Sequence, residues 1–165
     1  MPSKTNAARI CEQLGIPYRL AEYPVGEEHL SASEVAAIIG MPAEQVFKTL
    51  VARGDRTGVL LACLPAPVDL DLKKLAAASG NKRVELVDLA EVQPLTGYVR
   101  GGVSPLGTRR PFPVFIDETV EMWEEVSVSA GQRGTQLLIA PAGFIRAAEA
   151  ALADLTQLPN YQVKD

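Results

Sequence analysis

A chain of 165 residues, 47% hydrophobic and 22% charged, can bury one sizeable core but is short for two, so residues 1–165 are read as a single domain. Its formal net charge of −4 argues against a general nucleic-acid binder, and no apolar run reaches the ~18 residues of a membrane span. Two distant cysteines, Cys11 and Cys63, argue against a disulfide framework and for a reducing cytoplasm.

The elements follow in order. Residues 5–14 have the pattern of an amphipathic helix rather than a secretory signal. Residues 16–23, IPYRLAEY, alternate as a strand. SASEVAAIIG carries a capping box, Ser31 with Glu34 three residues on, and stops at Gly40. MPAEQ makes a short turn with Pro42 near its start. VFKTLVAR and VLLACLP are strands joined by the turn GDRTG. Asp69 or Asp71 caps a helix through LKKLAAAS, which Gly80 ends. Lys82–Val87 is a short strand, and DLAEVQ one or two helical turns behind Asp88. TGYVRGGVSPLG is a loop punctuated by glycines and a proline. PVFIDE, EEVSVSAG and TQLLIAP are strands, the last two joined by GQRG. PAGFIRAAEAALADL closes the fold as an amphipathic helix, and the chain from about Pro159 is a poorly ordered tail. Hairpins and helical crossovers together imply an α/β domain of α+β type with a mixed sheet.

Lys48 stands out because QVFKTLV is otherwise a strand core. Val46, Lys48 and Leu50 share one face, and Phe47, Thr49 and Val51 the other. If both faces are covered, the ammonium is buried or opens into a cavity, where it needs an anionic partner or loses its proton. The competing reading is that its long stem carries the charge to an edge. Residues 48–110 hold ten Lys/Arg against six Asp/Glu, while both flanks are net acidic. The middle of the chain is therefore the place for a surface that meets phosphate.

The second feature is GYVRGGVSPLG. Gly97, Gly101, Gly102 and Gly107 exceed what a turn needs, and exposed N–H groups there can bind an anion or a developing oxyanion. Neither a P-loop nor a dinucleotide fingerprint fits the spacing. Arg133, on the glycine-flanked turn SAGQRGTQ, is a candidate phosphate contact. His29 is the chain's only histidine, so a histidine-rich metal site cannot be built and no cofactor is implied. His29 lies in a Glu-rich loop and is set aside as a catalytic residue. Asp117, Glu118, Glu121, Glu124 and Glu125 are read as a solvated acidic face, and Cys63 as core packing.

The motifs VFKTLV, DLKKLAAASGNKRVEL, TGYVRGGVSPLG and VSAGQRG stand in an order and spacing that resembles the YbaK/EbsC family. That family is related to the editing domain inserted in bacterial prolyl-tRNA synthetases, and the resemblance runs from about Ile16 to Leu155. It implies a mixed sheet or barrel-like core with flanking helices and a pocket for the aminoacylated 3′ end of tRNA. The activity implied is deacylation of mischarged tRNA, with Cys-tRNA(Pro) as the substrate of the subgroup that looks most similar. The alternatives are another small amino acid, alanine or serine, or a non-catalytic module that binds a tRNA end or nucleotide. The resemblance places the family's lysine on Lys48, its G-x-x-x-P loop on Gly101–Pro105 and its pocket tyrosine on Tyr23. Lys48 and Gly101 are thus expected to be catalytic, and Tyr23, Ser31, Gly102, Ser104, Pro105, Arg133 and Gln136 to bind substrate. Ser31 and Gln136 depart from the family pattern, which has Phe-Gly at 31–32 and an aspartate at 136. Substrate assistance, by a ribose hydroxyl or the cysteinyl thiol, is the family's substitute for a general base. A prolyl-tRNA synthetase is an expected helper; a membrane or DNA is not. Lys73, Lys74, Lys82, Arg83, Arg109 and Arg110 are candidates for an RNA-facing surface.

Overall fold

Strands apolar on both faces build the centre of the sheet. In the computed structural model, which describes residues 5–157, β2 (Val46–Gly54) and β3 (Gly58–Pro65) pair antiparallel along their whole length. The other strands are β1 (Tyr18–Glu22), β4 (Val84–Leu86), β5 (Val114–Asp117), β6 (Val126–Gln132), β7 (Thr135–Ile139) and β8 (Ala151–Ala153). The helices are α1 (Asn6–Leu14), α2 (Ala32–Ile39), α3 (Leu72–Ser79), α4 (Leu89–Thr96) and α5 (Pro141–Ala148). Sheet order is β1-β7-β6-β2-β3-β5-β8, with β4 on β2. The β2–β6, β3–β5 and β5–β8 pairs are parallel and the rest antiparallel. This is the mixed sheet with flanking helices that the sequence implied.

The two faces of β3 carry two cores. Leu61 and Cys63 join Phe47, Val51, Val128, Leu137 and Phe144 on one side, under α1 and α5. Leu60, Ala62 and Leu64 join Leu70, Leu75 and Ala76 of the α3 region on the other. Burial of each such Leu or Phe is worth ~1.5–3 kcal/mol against conformational entropy. The caps fall where the sequence puts them. Asp71 accepts from the Lys73 and Lys74 N–H groups at 3.0 and 3.1 Å. Ser31 accepts from Glu34 N–H at 3.1 Å while the Glu34 carboxylate accepts from Ser31 N–H at 2.9 Å.

Three expectations need correction. The closing helix stops at Ala148, because Glu149 adopts a left-handed φ of 50°. The chain then runs as β8 beside β5, pairing Phe115 with Ala151 and Asp117 with Ala153. An Ala- and Leu-rich stretch with high helix propensity is overridden by sheet pairing. Asp117 is not part of the solvated acidic face. It is 1% exposed, and its carboxylate accepts from Leu155 N–H at 2.8 Å and from Thr119 N–H at 3.2 Å, tying β8 to β5. Finally, α4 runs on through Pro94 to Thr96. The proposed tail from about Pro159 lies outside the described residues.

Candidate functional site

β2 has three neighbours, and a gap between two of them makes the site. β6 pairs only with Val46 and Phe47, and β4 only with Ala52–Gly54. Beyond β4 the last bond is Val87 N–H to the Val51 carbonyl at 3.1 Å. Main-chain groups alternate sides along a strand, so Thr49, two residues from Val51, also aims its N–H and C=O away from β3. Neither strand reaches them. β6 turns away through an irregularity in its pairing with β7 between Ser129 and Gln132. A cavity of about 400 Å³ fills the gap.

Lys48, Thr49, Leu50 and Val51 form its floor, and Leu86, Val87, Leu89 and Val92 one apolar wall. Tyr23, Gln136 and Ser129 line it from the β1–β7–β6 side, and His29, Leu30, Ser31 and Val35 from α2 and the loop before it. Arg100, Gly101 and Val103 complete the rim. Lys48, half-buried, donates from Nζ to the Ala66 carbonyl at 3.0 Å and makes no ion pair among the described residues. Burial lowers its pKa, opposed by the charge of Asp69. The cation therefore keeps unused donors beside an apolar pocket, the setting in which an anionic ligand is held most strongly.

The glycine-rich loop is held rigidly beside this pocket. Tyr98, buried, donates its hydroxyl to the Leu106 carbonyl at 2.6 Å, with the Gly107 carbonyl at 2.9 Å. Burial pushes the Tyr98 pKa up to about 12, so the hydroxyl stays a donor. Gly102 N–H donates to the Val99 carbonyl at 2.9 Å, whereas the Gly101 and Val103 N–H groups make no main-chain bond. Gly101 has φ +89°, and a Cβ there would lie 3.3 Å from Arg133 Cγ and 3.5 Å from His29 Nδ1. Gly102 packs on the β6–β7 turn so closely that a Cβ would meet the Gln132 main chain at 2.9 Å.

The cavity brings together Lys48, Gly101, Tyr23, Ser31 and Gln136. Gly102, Ser104 and Pro105 are buried behind the rim and do not line it. Ser104 Oγ accepts from Leu106 N–H at 3.2 Å, a local turn bond. Arg133 donates to the carbonyls of Gly26 at 2.9 Å and Glu28 at 3.3 Å, fixing the loop before α2. It lines a small adjoining cleft shared with Tyr23, His29 and Gly101. Ser31 Oγ is engaged as the α2 cap. Gln136 Oε1 accepts from the buried Ser127 Oγ at 2.7 Å, and its Nε2 has no protein acceptor among the described residues. Of the basic candidates, Lys74 pairs with Asp154 at 3.0 Å and Arg110 lies over Phe112 at 5.5 Å; none of the six lines the cavity.

Sequence reasoning missed Arg100, Thr49, Ser129 and the apolar wall, and it set His29 aside. Arg100 and Thr49 adjoin residues already singled out; nothing local marks Leu86 or Leu89, which the topology brings to the rim. Among the described residues no cluster of three or more His, Cys, Asp or Glu could hold a metal ion, and no helix is long and apolar enough to cross a membrane.

Comparison with known proteins adds the family. The pattern of the aminoacyl-tRNA editing domain matches residues 27–147. The chain is 43% identical over 93% of both chains to EbsC of Enterococcus faecalis, named as a proposed Cys-tRNA(Pro)/Cys-tRNA(Cys) deacylase. It is 31% identical over 73% of its length to the multifunctional Ser/Thr-tRNA deacylase ProXp-y of Escherichia coli, covering 74% of that protein. A crystal structure described as a proposed trans-editing enzyme for prolyl tRNA synthetase superposes with a TM-score of 0.81 at 28% identity, over 94% of this chain and all of that one.

Proposed function

The chain belongs to the aminoacyl-tRNA editing domain family, and from that premise we propose that it is a trans-acting deacylase that clears Cys-tRNA(Pro). One observation carries the reading: the Lys48 ammonium sits in a largely apolar cavity whose rim includes Gly101, with its unbonded N–H. Cleaving the ester between an amino acid and the terminal ribose builds negative charge on the carbonyl oxygen. The Gly101 and Val103 N–H groups are donors for that charge. Lys48 holds the ribose–phosphate end and orients the ester. Tyr23 and Gln136 close the amino-acid end. Gly102, Ser104 and Pro105 act by shaping the loop, and Arg133 by fixing the loop that carries His29 and Ser31. Taken as one editing domain working in the cytoplasm, the chain would receive its tRNA from a prolyl-tRNA synthetase.

Gln136 supports a second reading within the same chemistry. An amide that already accepts from Ser127 offers a substrate a neutral donor where the family resemblance expects a carboxylate. That favours serine or alanine as the amino acid removed, and similarity to a Ser/Thr-tRNA deacylase points the same way. The test is deacylation of Cys-, Ala- and Ser-tRNA(Pro) by wild type and Lys48→Ala. Rapid loss of one species, slowed ~100-fold or more in the variant, is the expected result. Turnover of none of them refutes the deacylase reading, and turnover unchanged in Lys48→Ala refutes the role given to the lysine.

A further inference from the structure

We propose that Arg100 is a second anion-binding group of this site and holds the RNA phosphate one nucleotide out from the phosphate held by Lys48. The inference rests on the deacylase reading above. Gly102 N–H donates to the Val99 carbonyl at 2.9 Å, which closes a turn over residues 99–102. Gly101 supplies the positive φ, +89°, that a type II turn needs at its third residue. Arg100 therefore occupies the corner of that turn, next in sequence to the candidate oxyanion donor. It is exposed and stands among the residues that line the cavity.

The guanidinium is uncommitted. Arg19 and Arg53 pair with Glu125 and Glu91, and Arg133 donates to two carbonyls. Arg100 makes neither an ion pair nor a hydrogen bond among the described residues. No Asp or Glu lines the cavity, so Lys48 and Arg100 stand there without a counter-charge. His29 feels the resulting field: burial and the charges of Arg100 and Arg133 lower its pKa, with Glu34 opposing. An anionic ligand supplies the charge that the lining lacks. The planar fork of a guanidinium fits two oxygens of one phosphate. In a chain of net charge −4, this attraction is local to the pocket mouth.

Depth sets the order of the two contacts. Lys48 is half-buried on the floor, its Nζ anchored to the Ala66 carbonyl at 3.0 Å. Arg100 is exposed on the rim. A strand whose 3′ end carries the ester enters end first. The phosphate of its terminal nucleotide goes deepest, to Lys48, and the preceding phosphate stays at the mouth against Arg100. A phosphate contact carries no base information, so this grip adds affinity for any tRNA end without choosing among tRNAs.

The 3′-terminal cysteinyl, alanyl and seryl esters of CpA and CpCpA test this, because CpA has only the inner phosphate and CpCpA has both. Wild type should show a kcat/KM ~10-fold higher on the CpCpA ester, and uncharged CpCpA should bind ~10-fold tighter than CpA. Arg100→Gln should abolish both preferences, and Arg100→Lys should keep part of them. In CpCpA binding by Arg100→Gln, the slope of log affinity against log salt should be shallower by ~0.7. Lys48→Ala should weaken both oligonucleotides alike. A preference that survives in Arg100→Gln, or one that is absent from wild type, overturns the inference while leaving the deacylase reading intact. So does a preference lost in Lys48→Ala, since it would put the outer phosphate on the lysine. A wild type that hydrolyses none of the esters overturns the deacylase reading, and binding of the uncharged oligonucleotides then still decides the role of Arg100.

Discussion

Gly102→Ala is the sharpest probe of how the loop is held. The added Cβ would lie 2.9 Å from both C and Cα of Gln132 and 3.0 Å from Arg133 N. Ordinary carbon contacts sit at about 3.5–4.0 Å, so the shortfall is at least ~0.5 Å. Every atom it meets is main chain of the β6–β7 turn, which cannot rotate away as a side chain would. Gly102 does not have a positive φ, so the penalty is steric rather than conformational. Overpacking of this kind costs ~1–3 kcal/mol, partly offset by ~0.8 kcal/mol for burying the methyl. Relief has to come from moving the 99–105 loop outward, which carries the Gly101 N–H off its position; a shift of that order costs ~100-fold in rate. Urea unfolding and single-turnover deacylation measure the two effects. Gly26→Ala is the control, since no atom lies within 4 Å of its Cβ position. If Gly102→Ala matches that control in both stability and rate, the loop is not braced by the turn and the reasoning fails.

Other outcomes follow from the same contacts. Tyr98→Phe removes the donor to the Leu106 and Gly107 carbonyls and should lower unfolding free energy by ~1–3 kcal/mol; a change under ~0.5 kcal/mol in urea melts would show that the loop is not pinned there. Asp117→Ala strands the Leu155 N–H and should cost at least ~1–3 kcal/mol, with faster amide exchange in β8 as the local readout; unchanged exchange contradicts the tie. Cys63, fully buried and with its pKa raised to about 12, should resist thiol reagents in native protein and react in urea; prompt native labelling would contradict its burial. His29 has a folded pKa below its ordinary 6.5, so the folded state binds fewer protons and stability should fall as pH drops through 6.5 toward the folded value. The urea midpoint should therefore decline less between pH 7.5 and 5.5 in His29→Gln than in wild type, and equal declines would refute the shift.

Local chemistry made much of the fold legible. The caps at Ser31 and Asp71, the Gly40 and Gly80 stops and the β2–β3 hairpin are short-range features, and each stands where residue chemistry puts it. The helix expected through Leu155 failed because the competing partner, β5, lies more than thirty residues away in sequence. Asp117 was misplaced for a similar reason: its burial depends on Leu155, 38 residues on. At the candidate site, Lys48 was visible as a charge in an apolar strand. The role of Arg133 was not, since its guanidinium is committed to the carbonyls of Gly26 and Glu28, 107 and 105 residues distant. The gap beside Thr49 could not be read from any window, because it is defined by where two other strands stop.

That gap bears on how the site could change over evolutionary time. A pocket wall made of main-chain groups is indifferent to the side chain at its own position: Thr49→Val or Thr49→Ser leaves the same N–H and C=O facing the cavity. Point substitution at lining residues such as Gln136 or Ser31 can reshape the rest of the pocket without dismantling the edge that faces the cavity. Only a proline, or a shift in where β4 or β6 ends, would erase it. On the proposed deacylase reading, side-chain lining and main-chain edge are separately mutable parts of the chain, so a lineage could drift from one mischarged amino acid to another while that edge stayed in place.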